Sequence, residues 1–112
     1  MLTTYIQEGD SIDYLAAADL AVGDVVVQGD LVAVAIRDAK AGELTSLATE
    51  GVFDFPKNTT AGSAFAGGVK GYWDAVNKKA VLVDGGGASK YIGKATVGGV
   101  DADKTVRIRL QQ

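Results

Sequence analysis

Short runs of alternating and β-branched residues, each closed by glycine or aspartate, set the limits on what this chain can fold into. Helical periodicity is nearly absent. The pattern predicts strands over 11–14, 25–27, 31–36, 44–48, 51–55, 69–73, 80–83, 91–97 and 105–110. Glycine supplies 15 residues and proline one, Pro56, so the turns are glycine turns. Gln28-Gly29-Asp30 between two valine-rich runs signals a tight hairpin, residues 38–42 turn the chain again, and Asn77-Lys78-Lys79 does likewise. The alanine-rich segment 61–66, bracketed by glycines, is the best place for one short helix, whereas 15–20 leads into a strand and reads as loop. So many short strands leave exposed edges unless the sheet closes or is covered. The expectation is therefore an all-β, single-domain fold, a small β-barrel or a compact sandwich.

A chain of 112 residues is one domain's worth, and 47% hydrophobic residues can supply its core. It contains neither cysteine nor histidine, which removes disulfides, thiol nucleophiles, imidazole bases and most zinc or copper sites together. No cofactor is expected. The longest apolar run, 31–36, falls far short of the roughly 20 residues that span a bilayer, so no membrane partner is expected. The first five residues lack the basic flank and apolar run of a secretory signal, which points to synthesis for the cytoplasm.

The net charge of −3 conceals a division along the chain. Residues 1–56 carry ten acids and two bases, or −8, and residues 57–112 carry four acids and nine bases, or +5, which together restore −3. Such a split suits a subunit whose acidic side meets the basic side of its neighbour, and equally a barrel that interleaves both halves. With pI near 4.7 and no basic stripe carrying interleaved aromatics, nucleic acid is not an expected partner.

Several motifs have ordinary explanations. Residues 87–96 approach a phosphate-cradling loop but place five residues between the glycines, alanine where a magnesium-binding hydroxyl belongs, and Val97-Gly98-Gly99 where a helix must follow. A glycine-rich hairpin accounts for them. Lys40, displayed in a turn between strands, has the placement of a lipoyl or biotin attachment site, although the only methionine is Met1; a solvated turn lysine is the plain reading. The carboxylate pairs Asp101/Asp103 and Glu8/Asp10 lie where aspartate commonly fixes turns. Asn58-Thr59-Thr60 matches a glycosylation sequon and reads as a polar loop. Adjacent Tyr72 and Trp73 must face opposite sides of a sheet, one ring in the core and the other free for a subunit contact; Phe53 and Phe55 share one face and read as core.

Taken in order, Tyr5-Ile6-Gln7-Glu8-Gly9-Asp10, Ala41-Gly42-Glu43, the run from Thr49 to Lys57, Gly71-Tyr72-Trp73-Asp74, Ile92-Gly93-Lys94-Ala95 and the run from Thr105 to Leu110 resemble the capsid cement, or head decoration, proteins of tailed bacteriophages and prophages. The resemblance spans almost the whole chain. The glycine run 85–87 and the stretch 61–68 depart from the family pattern. The resemblance implies a non-enzymatic β-rich protein that assembles as a homotrimer on the outside of the expanded head and clamps neighbouring major capsid subunits. Its place would be the virion's outer surface, after synthesis in the host bacterial cytoplasm.

A ring of three joins two different patches of one subunit, and oppositely charged halves suit that joint. The trimer interface is expected at Trp73, Lys78, Lys79, Arg107 and Arg109, with Lys90 and Lys94 as further bases that would face acids of the first half. The stretch 1–7 is expected to be a mobile arm whose Thr3, Thr4, Tyr5, Ile6 and Gln7 bind the capsid by adding a strand. The alternative from another class is a small lipoyl-like β-barrel, carrying its group on Lys40.

Overall fold

The computed structural model describes residues 3–6 and 9–112. Nine strands build two antiparallel sheets. β1 (Ser11–Leu15), β2 (Val25–Gln28), β3 (Leu31–Ala35) and β4 (Leu44–Ala48) form the first sheet in the order β1-β4-β3-β2. The second contains β5 (Gly51–Pro56), β6 (Lys70–Asp74), β7 (Lys79–Val81), β8 (Lys90–Ala95) and β9 (Thr105–Leu110) in the order β5-β9-β8-β6-β7. All nine expected strands are present, with ends displaced by at most two residues. Of the two architectures expected, the sandwich fits and the closed barrel does not. The second sheet curls far enough for Lys57, just past β5, to make one parallel bridge to Ala80 of β7, but its edges do not pair beyond that.

Each sheet draws on one continuous stretch of chain, and β5 is the one strand of the acidic half that joins the second sheet. The apolar run of β3 is buried on both of its faces. Val32 and Val34, with Val25 and Val27 of β2, point into the second sheet and meet Phe55, Phe65, Trp73, Ile92, Ile108 and Leu110. Ala33 and Ala35 point the other way and, with Leu47, are covered by Ile12, Tyr14, Leu20 and Val26. Within the main core the Phe55 and Trp73 rings lie 6.0 Å apart, and Phe53 meets Phe55 edge-on at 6.3 Å.

Two polar links fasten the sheets. The Gln112 side chain accepts a hydrogen bond from Val32 N at 2.9 Å and donates to the Tyr91 carbonyl at 2.5 Å, which joins β3 to β8. Lys90 Nζ reaches Asp30 Oδ1, in the β2–β3 turn, at 2.9 Å. That turn is the expected two-residue hairpin, with Gly29 at φ 60° in its first loop position.

No helix forms over 61–66. Phe65, 2% exposed, must enter the core, and its carbonyl accepts from Gly99 N at 2.9 Å while Ala64 N donates to Asp101 Oδ1 at 2.9 Å. Tertiary anchoring overrides alanine's propensity in a segment too short to nucleate a helix. The described residues contain one 3-10 turn, at Gly85–Gly87, closed by Asp84 Oδ1 accepting from Gly86 N.

The curl of the second sheet depends on glycine where strands approach closely. A Cβ on Gly93 would lie 1.8 Å from the Arg109 carbonyl oxygen, and one on Gly71 would lie 2.7 Å from Ile108 Cδ1. Gly93→Ala is therefore expected to destabilise the fold by about 3 kcal/mol or more, as for severe overpacking. Urea denaturation, with the open surface position Gly62→Ala as a control for strain alone, measures it.

Candidate interaction surfaces

Strand alternation decides what the second sheet shows to solvent. On β9, Val106, Ile108 and Leu110 are buried and Thr105, Arg107 and Arg109 are exposed. The register then aligns side chains across strands: Val52 of β5 opposes Arg109, Arg109 opposes Lys94 of β8, and Lys94 opposes Lys70 of β6. All four are exposed. Three cations thus sit directly opposite one another in a row, beside an apolar residue that is 55% exposed. Like charges so placed repel. Among the described residues none of the three forms an ion pair.

The remaining cations differ. Arg107 holds Asp54 across the β5–β9 pair, Nε to Oδ1 at 3.0 Å and Nη2 to Oδ2 at 3.2 Å. That hydrogen bond lowers the Asp54 carboxyl below its ordinary value, partly opposed by burial, and raises the Arg107 guanidinium. Lys90 lowers Asp30 in the same way. Both links join an acid of the first half to a base of the second within one chain. Lys79 lies half-buried on β7 and Lys78 is exposed with φ 55° in the β6–β7 turn. Asp74 organises that turn by accepting from Val76 N, Asn77 N and Asn77 Nδ2, and these bonds, the Asn77 side chain's first, lower its carboxyl; Val76 at the tip is 91% exposed. Trp73, placed at the subunit joint by the sequence reading, lies in the core with 5% exposure, because its strand parity points it at Phe55. Tyr72 takes the outward position and packs edge-on against Tyr91, ring centres 5.9 Å apart.

An acidic hollow lies on the first sheet's loops. Its floor is Leu20, Ala21 and Ala39, and its rim is Asp19, Asp24, Asp38 and Glu43, with Lys40. Each carboxylate receives a backbone N–H: Asp19 from Ala41, Asp24 from Ala21, Asp38 from Val22 and Glu43 from Lys40, at 2.6–3.0 Å. These bonds fix the loops and leave the charge facing outward. Lys40, the candidate attachment lysine, is 81% exposed and 3.9 Å from Asp19.

Of the candidate arm, Thr3, Thr4, Tyr5 and Ile6 are exposed and outside regular structure, with Tyr5 at 71% and Ile6 at 79%. Gln7 lies outside the described residues. Residues 87–96 run from a 3-10 turn into β8, with no helix to receive a phosphate. Asp103 accepts from Val100 N, the turn-fixing role expected of it, whereas Asp101 accepts from Ala64 N and so ties its loop to a distant one instead of fixing its own turn. Among the described residues no three histidine, cysteine, aspartate or glutamate side chains gather as metal ligands, and no helix is long and apolar enough to cross a membrane.

Lys57 has a place that sequence reading missed. It is 3% exposed, and its Nζ donates to the Asn58 carbonyl at 2.7 Å, the Asp101 carbonyl at 3.0 Å and Ser63 Oγ at 3.3 Å. One buried cation thus ties the 58–63 loop to the loop at Asp101. Lys57→Met would leave those oxygens short of a donor and is expected to cost about 2 kcal/mol or more in denaturant unfolding.

The lowered carboxyls fix a pH dependence. Each stabilises the fold above the ordinary aspartate value of 3.8, and the contribution is lost as pH falls through the lower folded-state value. The loss in urea midpoint between pH 7 and pH 3 should therefore be smaller for Asp54→Asn than for the unchanged chain; the exposure of the pair keeps the difference small.

A family model described as phage cement protein matches residues 6–110, so the chain belongs to that family. No curated protein and no solved structure matches it.

Proposed function

We propose that this phage cement protein binds the outside of the expanded head as a homotrimer and holds neighbouring major capsid subunits together. Membership of the family over almost the whole chain carries the reading and supports a structural role in the phage capsid. A cement acts by contact. It needs a rigid body and two kinds of surface, one for its own copies and one for the shell, and no bond is made or broken. The charged outer face, the acidic hollow and the exposed Tyr5 and Ile6 are surfaces of that kind. In this reading the chain is not an enzyme, is made in the host bacterial cytoplasm, and reaches its shell there.

The arm carries the shell contact. Thr3, Thr4, Tyr5 and Ile6 are exposed residues outside regular secondary structure, and their β-favouring side chains suit them to adding a strand to a capsid sheet. Purified protein mixed with expanded heads that lack it should give density on their outer surface by electron microscopy. Deleting residues 1–7 should lower occupancy at least tenfold and leave the oligomer intact in sedimentation. Equal occupancy without the arm refutes its role, and bare heads with the full chain refute the cement reading itself.

A further inference from the structure

The row formed by Lys70, Lys94 and Arg109 is out of place as a purely structural feature. Three adjacent strands could carry any polar residue at these exposed positions, and cations directly opposite one another cost stability. The neighbouring position on the same sheet shows the contrast: Arg107 there has its carboxylate, Asp54, across the strand pair. The row has none among the described residues. An external partner of opposite charge removes the penalty.

We propose that this row, with Val52 beside it, docks into the acidic hollow of a second copy of the chain. The inference rests on the trimer reading and names the two faces of its joint. The fit is one of charge and form. The hollow offers four carboxylates against one lysine around an apolar floor, and the row offers three cations around an exposed valine. The carboxylates are already positioned by backbone N–H donors, so the joint requires little ordering of that side.

Placement also favours a second copy over the same one. A groove runs from Leu20 and Asp24, which also line the hollow, to Pro56, Trp73, Ala75 and Lys78, so the hollow lies toward the Pro56 end of β5. Val52 and the row lie toward the other end, about 13 Å along that strand. Two different patches, set apart on one subunit, make a head-to-tail contact, which closes into a ring when the rotation between copies permits. The expected contributions of Lys78, Lys79 and Arg107 thereby pass largely to Lys70 and Lys94, with Arg109 retained.

Sedimentation of the full chain, unchanged and as K70E/K94E/R109E, tests the joint. The unchanged chain should associate, with Kd rising about tenfold or more between 50 and 500 mM salt as the charges are screened. The variant, folded by circular dichroism, should be monomeric at the same concentration. A carbodiimide, which joins an amine to a carboxylate directly, should link Lys70 or Lys94 to Asp19, Asp24, Asp38 or Glu43. Mixing isotopically light and heavy chains identifies those links as intermolecular. An associating chain unaffected by the reversal, or links running only to other acids, overturns the joint and leaves the trimer standing. A variant that still associates but no longer decorates heads shows that the row faces the shell, and overturns it too. A solitary unchanged chain removes the trimer reading together with this inference.

Discussion

The structure depends on one contact, the seating of β3 against the second sheet. Among the described residues of the first sheet, Val32 and Val34 are the ones buried among the aromatic and aliphatic side chains of the second, and the flanking valines of β2 widen the same contact. The polar links at Gln112 and at Lys90–Asp30 lie together where β3 and β8 begin and pin that end of the contact. Remove the seat and what remains is a four-stranded sheet with a small alanine-and-leucine cluster on its far face. That cluster is thin. The larger sheet carries its own curl, its buried lysine and most of the large side chains, so it sets the shape onto which the smaller one is laid.

The strands were legible because each advertises itself twice, by alternation within the run and by a glycine or aspartate at its end. Residues 44–48 and 105–110 match the structure at both ends for that reason. The failures have a common physical origin in contacts distant along the chain. Residues 61–66 have good helical composition, but Phe65 is claimed by the core and its neighbours by the 98–104 loop. Which of Tyr72 and Trp73 faces inward is fixed by parity relative to β8, where the register shifts between Gly71 and Tyr72. No local signal marks that shift. Closure into a barrel fails on the same grounds, since it depends on edges whose pairing no single strand records.

The surface was legible in sum and not in detail. The division of acids and bases along the chain is visible in the sequence and becomes a division between sheets, because each sheet is made from one continuous stretch. Which charges are already satisfied is another matter. Arg107 and Arg109 are indistinguishable as text, two residues apart on the same face, yet one lies opposite Asp54 and the other opposite Lys94. Likewise no local signal marks Lys57 for burial, which comes only when the loops at 58–63 and 101 fold over it.

The contiguity of each sheet also has a bearing on biosynthesis. A ribosome releases residues 11–48 well before 51–110, so the smaller sheet is complete in composition while the surface meant for Val32 and Val34 is still being translated. During that interval its valine face has nothing native to meet, and nascent chains on neighbouring ribosomes are the hazard. The smaller sheet can therefore take its seat only once residues 51–110 have been made.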